Sequence, residues 1–221
     1  NKSMDVRGSD TQSGQTNYDD LYADPLAWME NNWIDYILPQ LYWSLDHPKA
    51  SYSKLLKWWS ENAKNTAIYI GNSSYKIKSD GDKRWNFATE IPNQIDYTRT
   101  FNNVQGNAFF SAKWFVNKNQ EVTQLLAENQ YKYPAIPLAV PKLRKELLVS
   151  PKMMAVTKNN ANLIFSFQNT KDKIRYIVLY GAEQKNLIDS NDPSQIIDKI
   201  NIISTENTFS INIPIEKIQN K

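Results

Sequence analysis

Strands that alternate with amphipathic helices up to about residue 130, then strands of period two after Pro151, predict an α/β domain followed by a small all-β module. Three observations carry this. The run Ile34-Asp-Tyr-Ile-Leu38 is nearly all apolar, as a strand of a parallel sheet covered on both faces requires. Helical stripes follow it and two later strand-like runs. The composition also shifts: all seven Trp lie between Trp28 and Trp114, while the chain after Pro151 is rich in Ile, Asn and Lys. A boundary is therefore expected between Pro134 and Pro151, giving domains over 1–145 and 151–221.

The elements follow in order. Residues 1–20 are polar and aperiodic, hence a loop. Asp24-Pro25 reads as an N-cap with Pro at the first helical position, and Leu26, Met29 and Trp33 recur at helical spacing. A strand over 34–41 comes next. Tyr52, Leu55, Leu56 and Trp59 form one stripe of a helix over 50–64. A second strand spans 66–71, and a long polar loop over 72–89 carries Tyr75, Lys76 and Trp85. A third helix starts near Pro92, with Ile91, Ile95 and Thr98 on one side, and feeds a third strand over 106–111. Val122, Leu125 and Leu126 line a helix over 120–129. Beyond Pro151, strands are expected over 162–167, 174–180, 197–204 and 208–213, with the clearest turn at 169–172. This pattern suits a fibronectin type III or immunoglobulin-like sandwich. Four to five visible strands fall short of the roughly seven such a module needs, so it is expected to be incomplete.

Composition removes several function classes. With 41% hydrophobic and 22% charged residues the chain is an ordinary folded, soluble one. Its net charge of +3 is spread without a polybasic face, which argues against nucleic acid or anionic lipid as a partner. The absence of Cys excludes a disulfide framework, a thiolate metal site and a Cys nucleophile. A single histidine, His47, argues against a His-based metal site or a Ser-His-Asp triad, so neither metal nor cofactor is expected. No apolar run is long enough to span a bilayer, and no signal peptide opens the sequence; any export signal is expected to have been removed.

Right-handed crossovers place all strand carboxyl ends on one face, where barrels and open α/β sheets hold their ligands. The loops there begin at Trp43, Asn72 and Ala112. Gln40, Tyr42 and Trp43 offer aromatic faces and amide and phenol partners, which suits a sugar; an aromatic plug of the barrel mouth is the structural alternative. Trp85 is a sugar platform or a loop anchor. Lys113, near Ser111, holds a ligand or pairs with a carboxylate, and Tyr75-Lys76 is a weaker signal of the same kind. Glycoside hydrolysis needs two facing carboxylates roughly 5–10 Å apart, and the strand ends supply no convincing pair. Asp46 is the best single candidate acid, against a solvated loop aspartate; His47 contacts substrate or lies at the surface. Asp35, at the opposite end, braces the barrel bottom. Trp58 and Trp59 have core spacing.

Taken in order, Tyr22-Ala-Asp24, Trp33-Ile-Asp-Tyr-Ile-Leu-Pro-Gln-Leu-Tyr-Trp43, Trp58-Trp59, Ile68-Tyr-Ile-Gly71, Tyr75-Lys-Ile77, Glu90-Ile91, Gln94, Arg99, Gly106 and Phe109-Phe-Ser-Ala-Lys113 resemble the YngK-like family of glycosyl-hydrolase-like proteins (glycosyl-hydrolase-like family 10). The resemblance implies a (β/α)8 TIM barrel, exported to the periplasm or cell surface or lipid-anchored in bacteria, that acts on glycans such as peptidoglycan strands. It covers roughly the last three βα units of the barrel, and a fibronectin-like module commonly follows. The family's Asp-Asp-Tyr motif, at an earlier strand end, has no counterpart here.

Two functions follow. The leading one is part of a glycoside hydrolase in which Gln40, Tyr42, Trp43, Tyr75, Lys76, Trp85, Ser111 and Lys113 bind substrate, with the catalytic acids supplied from elsewhere. The alternative is a non-catalytic glycan-binding or cell-wall-attachment protein using the same cleft. Because a half-barrel exposes apolar strand edges, the N-terminal part of the barrel is expected as a partner, on a second chain or fragment.

Overall fold

The computed structural model describes residues 8–12, 14–117, 119–136, 149–170, 174, 176–202 and 206–219. The chain divides into two compact units, Asn1–Lys132 and Tyr133–Lys221.

The first unit opens with α1 (Pro25–Glu30), capped as the sequence predicts: the Asp24 carboxylate accepts from the Ala27 amide at 3.0 Å, and Pro25 fills the first turn. There follow β1 (Tyr36–Ile37), α2 (Tyr52–Asn62), β2 (Ala67–Asn72), α3 (Glu90–Arg99), β3 (Val104–Phe109), α4 (Ala112–Asn117) and α5 (Gln120–Glu128). The three strands form a parallel sheet in the order β1-β2-β3. Strand-helix alternation is thus observed, and the carboxyl ends share one edge.

The strand expected over 34–41 contracts to two residues. Tyr36 pairs with Ala67 and Ile37 with Ile68. Pro39 has no N–H to continue the ladder, which resumes only as a bridge between Gln40 and Gly71. The Gly71 amide donates to the Pro39 carbonyl at 2.9 Å, and the Leu41 amide to the Gly71 carbonyl at 3.0 Å. Nor is this strand buried on both faces: Tyr36 is 56% exposed and Leu38 39%. Helices cover one side only.

On that side Met29, Leu41, Tyr52, Leu56, Trp59, Ile68 and Ile70 make one core, with Trp58 and Trp59 edge-to-face at 5.0 Å as their core spacing predicts. Ile77, Trp85, Ala88, Ile91, Ile95, Val122 and Leu126 make a second. The opposite side carries Tyr36 against Tyr69, edge-to-face at 6.0 Å.

Gly71 is required at its position by close packing. A Cβ there would lie 3.1 Å from Leu38 Cδ2 and 3.2 Å from the Pro39 carbonyl oxygen. That carbonyl accepts the Gly71 amide and has no room to recede. Gly71→Ala is expected to destabilise the protein by about 1–3 kcal/mol, measured by denaturant unfolding.

The second unit contains β4 (Lys152–Lys158), β5 (Asn162–Gln168), β6 (Tyr176–Tyr180), β7 (Ile196–Asn201), β8 (Thr208–Pro214) and the short α6 (Ile215–Gln219). β4, β5 and β8 form one antiparallel sheet and β6 and β7 another. Phe167 stacks on Phe209 at 5.3 Å, and Ile211 and Ile213 are buried beside them in β8. β4 is an addition to the four expected strands. β6 starts at Tyr176 and β7 ends at Asn201; residues 203–205, residue 175, and 171 and 172 of the expected turn lie outside the described residues.

Candidate functional site

Four aromatic side chains gather at the carboxyl edge of the parallel sheet. Tyr42, from the loop after β1, meets Tyr75, from the loop after β2, edge-to-face at 6.1 Å. Phe110, just past β3, lies 6.5 Å from Tyr42 and 6.2 Å from Tyr75. Trp114 on α4 completes the group, 6.3 Å from Tyr75. Phe110 remains 60% exposed, so the cluster presents a surface and is not a plug.

Local structure explains each placement. The Phe110 amide donates to the Asn72 carbonyl at 3.0 Å, and Ser74 Oγ donates to the Phe110 carbonyl at 3.2 Å, tying the β2 and β3 ends together. The Phe110–Ser111 peptide is cis. Ser111 is half-buried, and its carbonyl accepts from the Trp114 amide at 3.1 Å as α4 begins. This short helix lies where the sequence predicts loop, and it swings Trp114 back onto Tyr75. Lys113 is exposed with its Nζ 5.5 Å from the centre of the Trp114 ring, a cation on the rim of the cluster. Desolvation, and secondarily the neighbouring Tyr75 phenol, raise the pKa of Tyr42. Its hydroxyl therefore stays protonated at neutral pH and able to donate.

Sequence reasoning missed Phe110 and Trp114 as site residues. For Phe110 a signal existed: its neighbour Phe109 packs against the second core, and strand alternation sends the next side chain to the opposite face. For Trp114 the signal depends on α4, a helix of six residues that carries too short a period to be read from the sequence.

Gln40, Tyr42 and Trp43 do not form one patch. Gln40 and Trp43 line a slot of about 570 Å³ that runs along β1 past Ile37, Leu38 and Trp28, whereas Tyr42 joins the aromatic cluster. Four other candidates are engaged within the protein. Trp85 is 0% exposed and packed in the second core, which makes it the loop anchor and leaves no face for a sugar. Lys76 is held by Asp80 at 2.9 Å and lies 5.8 Å from the centre of the Trp85 ring, so it serves the loop. Asp46 pairs with Arg84 at 2.5 Å on the solvent side, a surface ion pair and not a buried acid. His47 Nδ1 accepts the amides of Lys49 and Ala50 at 3.3 and 3.1 Å, a local cap in place of a substrate contact.

Beneath the surface runs a buried polar network. Asn107 of β3 donates to Asn72 Oδ1 at 2.8 Å; Asn72 at the end of β2 donates to Gln94 Oε1 at 2.8 Å and to the Tyr52 hydroxyl at 3.1 Å. Burial pushes the Tyr52 phenol up to about 12 despite bonds from Thr98, Asn72 and Asn107 that work the other way. Among the described residues, no group of three or more His, Asp or Glu side chains stands together to hold a metal, and no helix is long and apolar enough to cross a membrane.

A helix-covered parallel sheet with aromatic side chains at its carboxyl edge defines an α/β domain whose ligand surface lies at that edge. Residues 5–87 match the family model described as Glycosyl hydrolase-like 10. The chain is 38% identical over 194 residues to a protein named Glycosyl hydrolase YngK of Bacillus subtilis (strain 168), covering 84% of this chain and 38% of that relative. It is 36% identical over 127 residues to one named Glycosyl hydrolase DigH of Escherichia coli (strain K12), covering 54% of this chain and 28% of that relative. Over residues 5–87 the chain is thus similar to the Glycosyl hydrolase-like 10 family, and over a longer stretch to proteins named glycosyl hydrolases. The chain spans well under half the length of either relative.

Proposed function

We propose that this chain supplies the substrate-binding wall of a glycoside hydrolase acting on bacterial cell-wall or related polysaccharide. The observation that carries the reading is the exposed cluster of Tyr42, Tyr75, Phe110 and Trp114, with Lys113 at its rim. Pyranose rings stack on such faces, and the Tyr42 hydroxyl and Lys113 ammonium meet their hydroxyls. Asp46 is engaged with Arg84, so the catalytic acids come from the upstream part of the same barrel, which seats along the free edge of β1 where the slot lies. The second unit, with its two antiparallel sheets, serves as a fibronectin-like module. A glycan of the cell wall places the protein outside the cytoplasm, in the periplasm or at the cell surface.

The test is binding of purified peptidoglycan glycan strands by the full-length protein. Tyr75→Ala and Trp114→Ala are each expected to weaken binding by roughly tenfold while the protein still folds. Unchanged affinity in both sinks the reading. The second reading, a non-catalytic glycan-binding protein, is favoured by the engaged state of Asp46; binding without any release of reducing ends selects it.

A further inference from the structure

We infer that Glu90 and Gln94 of α3 are positioning residues that hold the loop presenting Tyr42 to the glycan surface, through the main chain of Trp43 and Leu45. This inference rests on the proposed glycan-binding surface. Both side chains are buried, at 3% and 0% exposure, yet they spend their hydrogen bonds on a loop 45 to 51 positions earlier in the chain. Glu90 Oε1 accepts the Leu45 amide at 2.8 Å and Gln94 Nε2 at 3.0 Å. Gln94 Nε2 also donates to the Trp43 carbonyl at 3.2 Å, and its Oε1 accepts from Asn72. The carbonyl and amide on either side of Ser44 are therefore fixed from one helix, while Ser44 Oγ donates to Asp82 Oδ2 at 2.5 Å.

The direction of these bonds separates positioning from plain stabilisation. Among the described residues no Lys or Arg makes an ion pair with Glu90, so its burial is compensated by the loop amide and the Gln94 amide group alone. Asn107 and Asn72 extend the same chain of bonds to the ends of β3 and β2. The height of the wall is thus set against the two strands whose carboxyl ends carry the rest of the cluster. Hydrogen-bonded support behind a ligand-contacting residue is what keeps its geometry within the tolerance that binding needs.

The experiment uses the double exchange Glu90→Gln with Gln94→Glu in the full-length protein. The exchange preserves the bond between the two side chains and the acceptors for Leu45 and Asn72, but removes the donor to the Trp43 carbonyl. Incorporated 5-fluorotryptophan, with the Trp43 line assigned by Trp43→Phe, reports the loop without any ligand; a chitin oligosaccharide reports binding. Expected are a melting temperature close to the parent's, a displaced Trp43 resonance, and roughly tenfold weaker oligosaccharide binding. If the double exchange does not fold, Gln94→Met removes the same donor and takes its place. A Trp43 resonance and an affinity both unchanged overturn the inference. A parent protein that binds no glycan defeats the proposed function instead, and the fluorine resonance alone then decides this one: displaced supports it, unmoved overturns it.

Discussion

Trp85→Ala is expected to cost about 3–5 kcal/mol and to release the segment between β2 and α3. The indole is fully enclosed by Ile77, Ala88, Ile91, Ile95, Val122 and Leu126, so truncation leaves a cavity that α3 and α5 cannot close without losing their own contacts. Tyr75 belongs to the same segment, and its ring should then leave Tyr42, Phe110 and Trp114. The measurement pairs denaturant unfolding with amide exchange over residues 73–89. Trp85→Phe is the control: the buried indole Nε1 has no hydrogen-bond partner among the described residues, so phenylalanine forfeits volume without stranding a polar group. It should cost less than half as much. An alanine variant with parental stability and exchange would return Trp85 to the list of surface platforms.

Supplying the proposed upstream barrel segment is expected to change the solution behaviour of this chain more than any point substitution. Trp33, Tyr36 and Leu38 are 70%, 56% and 39% exposed at and around β1, the outermost strand of the parallel sheet. Such an edge pairs with whatever extended chain it meets. Alone, the chain should self-associate as concentration rises; co-expressed with the upstream segment, it should elute as a one-to-one complex. Sedimentation and intact mass decide between these outcomes. A monomeric, stable 221-residue species with no partner defeats the expectation.

The parts legible in the sequence were those governed by local rules. Asp24-Pro25 is an N-cap and first turn wherever it occurs, and Leu56 and Trp59 face the core because helical period demands it. The strand at Ala67–Asn72 was equally plain, since a run of apolar residues ending at Gly has few alternatives. What failed was nonlocal. Trp85 sits in a run of Lys, Asp, Gly and Arg that reads as solvent loop, yet residues of α3 and α5 close over it. Pro39 was visible, but not that the ladder would shrink to a single bridge at Gln40. Asp46 looked available because its partner, Arg84, is 38 positions away. Lys152–Lys158 escaped because every residue of this edge strand is exposed, so burial imposes no alternation on its sequence.

The loop after β1 is gripped by its main chain: Trp43 through its carbonyl, Leu45 through its amide and its carbonyl. Main-chain groups are the same whatever side chain they carry. A homologue or a designer can therefore rewrite residue 42 without renegotiating the supports beneath it. The ring at position 42 is a replaceable tip on a main-chain mount, and a saturation library at that position should retain folded protein at most codons while its proposed glycan preferences diverge.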